Sequence, residues 1–206
     1  MSELPYTPEE VAAIATQVKR ELRKRMRSLR GALAAATRAE KSLVVVETLA
    51  ALDVFEGAKT VGLYAPMVDR GELDIEPLHA RLAARGTTVA YPAMNDDGSL
   101  AFYRVDDPTA LEERGNLFRE PEPHDELRVT DLDALVLPAL AADSLGNRLG
   151  YGGGSYDRTL AAFARAPRTV AVVYDFQVLV EVPHLATDVP VDVVVTDRRV
   201  FRRSAP

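Results

Sequence analysis

The sequence predicts an α/β fold, a three-layer α/β/α sandwich with a mainly parallel sheet and an N-terminal helical segment. Three observations predict this fold. The N-terminal segment has helical periodicity, short β-branched apolar runs follow it, and helical stretches lie between several of those runs. Such an alternation of strands and helices is typical of a parallel sheet that helices cover on both faces.

The N-terminal segment predicts two helices. Apolar residues recur at steps of three and four between residues 11 and 33, as in an amphipathic helix, and Thr7, Pro8 and two acids supply its start. We expect this apolar stripe to be buried; its members are Val11, Ile14, Val18, Leu22, Met26, Leu29 and Leu33. A second helix is predicted over residues 37–52, with an end near Gly57.

Five apolar runs predict the strands. Their near-continuous apolar character is typical of strands buried on both faces, as in a parallel sheet. The runs are TVGLYAP from residue 60, TTVAYPA from 87, ALVLPAL from 134, TVAVVYD from 169 and DVVVT from 192. Further helices are predicted at residues 75–85 and 156–165, and LAFYRV at 100–105 predicts an added hairpin strand after the turn NDDGS.

Length and composition limit the class of protein. The 206 residues predict a single domain spanning residues 1–206, and the absence of cysteine excludes disulfides, thiol nucleophiles and iron–sulfur ligation. The N-terminus resembles no secretory signal and the longest apolar run is too short to cross a bilayer, so we expect a cytoplasmic protein without a membrane partner. A net charge of −6 argues against a nucleic-acid partner.

The first helix carries a basic segment. Residues 19–30 hold seven cations and one acid, so the segment is either a solvated helix face or a surface that meets an anion. Lys19 and Arg23 are four residues apart and therefore share one face of the helix. The remaining cations Lys24, Arg25, Arg27 and Arg30 are expected to be solvated. Nucleic-acid binding by this helix stays open as a third interpretation.

The segment RLGYGGGSYDR, residues 148–158, predicts a second site for an anion. Five of the 12 glycines lie between residues 146 and 154. Glycines allow backbone N–H groups to converge on phosphate oxygens, and a helix that starts near Tyr156 would point its positive end at the same anion. A tight strand-to-helix turn would also use glycines, but the flanking Arg148 and Arg158 favour the anion site.

Two familiar glycine motifs fit this chain less well. The segment GAKT, residues 57–60, lacks the glycine spacing of a P-loop and precedes a strand instead of following one. The segment GYGGGS approximates a dinucleotide fingerprint, and Asp175 ends a later strand. However, Ser155 stands at the third glycine position, and about nine residues separate Leu140 from Gly150.

The segment around the glycines closely resembles the signature of the 5-formyltetrahydrofolate cyclo-ligase family. The matching stretch is LDALVLPALAADSLGNRLGYGGGSYDRTL, residues 132–160. Four other stretches resemble family segments in the same order: KRELR at 19–23, LYAPMVDRGELDIEPL at 63–78, EPEP at 120–123 and TDVPVDVVVTDRRV at 187–200. The resemblance therefore covers nearly the whole chain.

The resemblance implies an ATP-dependent ring closure in the presence of Mg²⁺, with ATP as co-substrate. In such a reaction the formyl oxygen of 5-formyltetrahydrofolate attacks the γ-phosphate of ATP, and N10 then attacks the formyl carbon and expels phosphate as 5,10-methenyltetrahydrofolate forms. Phosphoryl transfer depends on positioning and charge neutralisation, so it requires no nucleophilic side chain. The implied partners are ATP and a reduced folate, and we expect a monomer or a weak homodimer.

The resemblance also implies the site residues. Arg148 and Lys19 would act in catalysis, and Asp157 and Asp188 would hold Mg²⁺. ATP would contact Lys19, Arg20, Glu21, Leu22, Arg23, Arg148, Leu149, Gly150, Tyr151, Gly152, Gly153, Gly154, Ser155 and Tyr156. Folate would contact Glu72, Tyr151, Gly152, Gly153, Gly154 and Ser155. The histidines His79, His124 and His184 lack ligand spacing, and Asp192 is interpreted as a turn or strand-start residue.

Four positions depart from the family pattern. The family usually has tyrosine at Ser155, threonine at Ile75, glycine at Ala139 and phenylalanine at Ala142. Ser155 and Ala142 would remove ring surface near the site, and Ile75 would remove a hydroxyl, so folate affinity is expected to suffer more than nucleotide binding. A paralogue that binds nucleotide or folate without ring closure is the alternative interpretation.

Overall fold

The computed structural model describes residues 7–114 and 118–204. These residues contain four α-helices: α1 Pro8–Gly31, α2 Ala35–Ala50, α3 Pro77–Ala83 and α4 Ser155–Ala162. They contain twelve strands: β1 Thr60–Gly62, β2 Thr88–Met94, β3 Leu100–Arg104, β4 Glu112–Glu113, β5 Arg119–Glu120, β6 Arg128–Val129, β7 Ala134–Pro138, β8 Ala141–Ala142, β9 Arg148–Leu149, β10 Arg168–Val172, β11 Val193–Val195 and β12 Val200–Arg202.

Eight of these strands form one sheet in the order β12-β11-β10-β7-β1-β2-β3-β6. The five central strands β11, β10, β7, β1 and β2 pair in parallel, and β12 and β3 pair antiparallel at the two ends of this central group. The strand order reverses at β1, since the chain runs first to β2 on one side and later to β7 on the other. An open α/β sheet binds ligands at such a reversal, beyond the carboxyl ends of the strands.

Helices cover both faces of the sheet. Alternate side chains of β7 belong to different apolar clusters: Ala134 and Val136 share a cluster with residues of α2 and α3, whereas Leu135 and Leu137 share one with Leu160 of α4. This burial on both faces is what the near-continuous apolar runs predict. The predicted three-layer α/β/α fold is confirmed.

The helix α1 differs from its prediction. Its start is confirmed, because Thr7 and Glu10 form a reciprocal capping box. However, four members of the predicted apolar stripe are not buried: Val11, Ile14, Val18 and Leu29 are 44, 49, 40 and 43% exposed. Met26 is buried and joins a small apolar cluster with Leu140, Leu149 and Val182.

The glycine loop is the segment of residues 150–154. The segment before it contains a hairpin that the sequence did not predict. Strands β8 and β9 pair antiparallel, and they fill the nine-residue gap between Leu140 and Gly150. The buried carboxylate of Asp143 holds the turn, because it accepts hydrogen bonds from the backbone N–H groups of Leu145 and Asn147 and, further on, of Val182. The hairpin therefore fixes where the glycine loop begins.

Candidate active site

An open cavity of about 540 Å³ lies beyond the carboxyl ends of β1, β2 and β7. Ala65, Met94 and Pro138 line it at these three strands. The predicted site residues that line this cavity are Lys19, Arg23, Glu72, Arg148, Leu149, Gly150, Tyr151, Gly152, Gly153, Gly154, Ser155, Tyr156, Asp157 and Asp188. Residues from α1, the loop after β1, the glycine loop and the loop before β11 thus meet at one place.

Three predicted ATP contacts on α1 do not line the cavity. The side chains of Arg20 and Glu21 are 74 and 63% exposed and lie close to each other at 3.6 Å. Leu22 packs against the small apolar cluster that contains Met26. Adjacent residues on a helix point in different directions, so the segment KRELR places only its first and last residues at the cavity.

The inward face of α1 carries cations. The residues Lys19, Arg23, Met26 and Arg30 recur at steps of four, three and four along the helix. Lys19 and Arg30 are only 7 and 2% exposed, and Arg23 is half-buried. The expectation that Arg30 is solvated is therefore wrong, whereas Lys24, Arg25 and Arg27 are exposed as expected.

The glycine loop contacts α1 through a hydrogen bond and leads along the chain into α4. The guanidinium of Arg23 donates through Nε to the carbonyl of Gly150 at 2.9 Å. Gly152 and Gly154 have φ angles of +115° and +68°, which a residue with a side chain adopts only with strain. In contrast, a Cβ at Gly150 would meet no atom within 4 Å, so the fold itself does not require a glycine there. A backbone without side chains is what close approach by a ligand requires.

Helix α4 begins at this loop. Gly154 is its N-cap and no side chain caps it, so the first N–H groups of the helix are available at the cavity. Tyr156 lies in the first turn and lines the cavity, and burial raises the pKa of its hydroxyl well above the usual range. The helix start favours negative charge at this position.

Arg148 is held between two partners. Its guanidinium donates to the carbonyl of Val189 and, at 2.8 Å, to Oδ1 of Asp157. The same carboxylate oxygen accepts the backbone N–H of Val189 at 3.0 Å. These hydrogen bonds link Arg148 of β9 to Val189, which lies before β11. They also place the guanidinium of Arg148 next to the carboxylate of Asp157 at the cavity.

Lys19 and Asp188 form a second pair. The ammonium of Lys19 donates to Oδ2 of Asp188, which also accepts the backbone N–H of Leu185 at 2.7 Å. Burial acts to raise the pKa of Asp188, but the hydrogen bonds from Lys19 and Leu185 and the positive charge of Lys19 outweigh it, so the pKa lies below its usual value. Asp188 is therefore a carboxylate at neutral pH.

A buried network lies behind the glycine loop. Arg30 donates through Nη1 to the hydroxyl of Tyr151 at 2.8 Å, and this hydroxyl donates to Oε1 of Glu72. Arg30 also lies 3.6 Å from the same carboxylate, whose Oε2 accepts the backbone N–H of Met67 at 2.8 Å. Burial and the negative charge of Glu72 raise the pKa of Tyr151 well above its usual value, so the hydroxyl keeps its proton.

The two predicted magnesium ligands fit a hydrated metal ion. No group of three or more His, Cys, Asp or Glu side chains is arranged to hold a metal within residues 7–114 and 118–204. Asp157 and Asp188 each accept the hydrogen bonds described above through a single oxygen, and in the described part of the chain no donor reaches the other oxygen. Mg²⁺ takes one or two carboxylates and completes its shell with water and phosphate oxygens.

The other candidates have structural positions. His79 is buried, and its ring nitrogens lie 3.3 Å from the hydroxyl of Tyr91 and 3.2 Å from the carbonyl of Asp106. Asp192 accepts the backbone N–H and the hydroxyl of Thr169, as expected of a strand-start residue.

Of the four departures from the family pattern, only Ser155 lines the cavity. Ile75 and Ala142 are fully buried in apolar clusters on opposite faces of the sheet, and Ala139 is 4% exposed. The expectation that Ile75 and Ala142 alter a surface offered to folate is therefore wrong, because the core encloses both side chains.

Comparison with known proteins identifies the family. A model of the 5-formyltetrahydrofolate cyclo-ligase family matches residues 15–197. This chain belongs to that family. The 5-formyltetrahydrofolate cyclo-ligase of Escherichia coli (strain K12) is 34% identical over 136 residues, which are 64% of this chain and 75% of the relative. The cyclo-ligase of Haemophilus influenzae is 29% identical over 180 residues, or 85 and 95% of the two chains.

A solved structure agrees with this assignment. The NMR structure of Aquifex aeolicus 5,10-methenyltetrahydrofolate synthetase has a TM-score of 0.79 and 34% identity, and the match covers 92% of this chain and 94% of that one. The chain is an enzyme of the ligase class, as its family is. Within the described residues, no helix combines the length and the apolar character needed to cross a membrane.

Proposed function

We propose that this cyclo-ligase converts 5-formyltetrahydrofolate to 5,10-methenyltetrahydrofolate with consumption of ATP in the presence of Mg²⁺. The observation that carries the proposal is one cavity that combines the glycine loop, cations of α1 and two carboxylates, Asp157 and Asp188. In the described part of the chain, each of these carboxylates has one oxygen that no donor reaches. In the reaction the formyl oxygen attacks the γ-phosphorus and ADP leaves. N10 then attacks the formyl carbon, loses its proton, and phosphate departs with the former formyl oxygen.

The glycine loop and three cations would bind the triphosphate. The N–H groups from residue 150 to the start of α4 can point at phosphate oxygens, and Lys19, Arg23 and Arg148 line the same cavity. Their charges would neutralise the negative charge that builds on the transferred phosphoryl group. Lys19 and Arg148 would thereby act in catalysis, in a role that needs no covalent intermediate on the protein.

Asp157 and Asp188 would hold Mg²⁺ through their free oxygens. Bound with ATP, the metal ion supplies positive charge to the phosphate oxygens. The two aspartates keep their links to Arg148 and Lys19 through the opposite oxygens, so metal and cations can act together.

The folate would lie against the other part of the cavity. Tyr151 presents its ring from the glycine loop while its hydroxyl stays fixed by Arg30 and Glu72. Ser155 leaves room where the family usually has an aromatic ring. The cytoplasmic location, the single domain over residues 1–206, the absence of nucleic-acid binding and a monomer or weak homodimer stay predictions.

The test is direct. The purified protein is mixed with 5-formyltetrahydrofolate, ATP and Mg²⁺, and the absorbance of methenyltetrahydrofolate is followed, with omission of each component in turn. We expect product only in the complete mixture. Binding of ATP and 5-formyltetrahydrofolate without any product would contradict the proposal and favour a paralogue that binds its ligands without ring closure.

A further inference from the structure

A second buried carboxylate, Glu120, lines the cavity and has little support from the protein. It lies in β5, which pairs with β4, and it is 7% exposed. Its Oε2 accepts one long hydrogen bond, 3.3 Å from the backbone N–H of Met94. In the described part of the chain no donor reaches Oε1 and no cation pairs with Glu120. Glu120 is one of the residues that line the cavity.

Within the described residues, Glu120 has fewer partners than Glu72. Glu72 is equally buried, but it accepts from Tyr151 and from the N–H of Met67 and lies beside Arg30. Arg119, the neighbour of Glu120, pairs instead with Glu76 at 2.5 Å. A carboxylate that is removed from water with one long hydrogen bond and no cation is unfavourable. A ligand with N–H donors would supply what the protein does not.

The surroundings of Glu120 indicate the shape of that ligand. Pro92, Met94, Leu100 and Phe118 line the same cavity, and they offer an apolar surface. A flat heterocycle with two adjacent N–H donors would pack on this surface and reach the carboxylate. The pterin ring of folate carries such donors at its 2-amino group and N3, and their side-by-side arrangement matches the two oxygens of a carboxylate.

We propose that Glu120 determines specificity for folate by accepting hydrogen bonds from the 2-amino group and N3–H of the pterin. This inference rests on the proposed function, since it assigns one end of the same substrate. Glu72 stays the predicted folate contact beside Tyr151, to which it is hydrogen-bonded. The phosphate-binding cations and the pterin-binding carboxylate then set the orientation of the two substrates in the cavity.

The first experiment is the substitution Glu120→Gln, with steady-state kinetics in which folate and ATP are varied separately. The amide keeps an oxygen for the N–H of Met94 but turns a donor toward the donors of the pterin. We expect KM for 5-formyltetrahydrofolate to rise by about ten- to a hundredfold, the effect of a lost charge-assisted pair, while KM for ATP stays the same. The matched control is Glu122→Gln, whose side chain is 80% exposed and outside the cavity.

A substrate analogue separates recognition from a structural effect. The parent enzyme should bind 5-formyltetrahydrofolate without its 2-amino group more weakly than the complete substrate, whereas Glu120→Gln should bind both with similar affinity. Unchanged folate KM in Glu120→Gln, or equal losses for substrate and analogue, would overturn the inference.

Calorimetry keeps this result distinct from the proposed reaction. If the parent forms no methenyl product but binds 5-formyltetrahydrofolate, and Glu120→Gln weakens that binding, the reaction fails and the inference stands. If the parent binds no 5-formyltetrahydrofolate at all, both fail. The melting temperature of each variant is recorded alongside; it should not fall below that of the parent, because Glu120→Gln removes a poorly supported buried charge.

Discussion

The two sides of the cavity differ in how far their ion pairs are closed to water. In the pairs Lys19–Asp188 and Arg148–Asp157 the carboxylate side chains are 26 and 27% exposed. In the pair Arg30–Glu72 the two side chains are only 3 and 5% exposed. A half-open pair can exchange partners with an arriving phosphate or metal ion. A closed pair cannot do so without unfolding its surroundings, so it acts as support for Tyr151.

The largest effect is expected from breaking the closed pair. Arg30→Met keeps an unbranched apolar stem but leaves Glu72 buried without its cation. Loss of one partner of a buried pair costs about 3–5 kcal/mol in free energy of unfolding, which urea unfolding measures. Arg25→Met, an exposed arginine on the same helix, is the control. The double variant Arg30→Met with Glu72→Gln should regain part of the lost stability. Equal stability of Arg30→Met and its control Arg25→Met would contradict the closed-pair interpretation.

Breaking a half-open pair should affect binding more than stability. Arg148→Ala removes a cation from the proposed phosphate site, while Asp157, whose side chain is 27% exposed, can be solvated by water in its place. ATP affinity measured by calorimetry should fall by about 1.5–3 kcal/mol, or roughly ten- to more than a hundredfold. Arg25→Ala serves as the control on ATP affinity. Normal ATP binding by Arg148→Ala would show that Arg148 does not bind phosphate and only links β9 to the segment before β11.

Neutralising one carboxylate tests the metal separately from the cation. Asp157→Asn keeps the oxygen that accepts from Arg148 and Val189 but removes the charge offered to Mg²⁺. The Mg²⁺ concentration that gives half-maximal turnover should rise by about tenfold, the lower end for weakened metal ligation. ATP affinity without Mg²⁺ should stay the same. An unchanged Mg²⁺ dependence would make Asp157 a helix-start residue and partner of Arg148 only.

The smallest effect is expected on the folate side, at Ser155. Ser155→Tyr adds a ring at the cavity, and an added aromatic contact is worth about 1 kcal/mol, or roughly fivefold in KM for folate. Because ground and transition states would share this contact, kcat should change little. Ala142→Phe is a contrast, since this position is fully buried and a larger ring there should destabilise the fold. A folate KM that is the same with serine and tyrosine would show that the departure is neutral.

The parallel sheet could be predicted from the sequence because its strands are buried on both faces. Runs such as ALVLPAL therefore stand out from polar surroundings, and glycines with flanking arginines mark the loop in the same way. The hairpin of β8 and β9 could not be predicted, because each strand has two residues and so shows no periodicity. Its turn depends on Asp143, whose contacts with Val182 join distant parts of the chain.

Helix α1 shows why a correct element can have a wrong face. The apolar stripe starting at Val11 suggested one inward face, but the buried face runs through Lys19, Met26 and Arg30. Cations are ordinarily interpreted as solvated. The signal was nevertheless present, since these residues and Arg23 recur with helical spacing. The partners that make their burial possible, Glu72 among them, are distant in the sequence and become visible only in the fold.

The glycine loop touches both sides of the cavity. Its backbone is anchored to Arg23 through the carbonyl of Gly150, and the side chain of Tyr151 is anchored to Glu72. If the proposed ATP and folate bind on these two sides, the first to order this loop would lower the entropy loss for the second. Thermodynamic linkage makes such coupling reciprocal: the factor by which ATP tightens folate binding equals the factor by which folate tightens ATP binding. One short segment would thus make the affinity for each substrate depend on the concentration of the other.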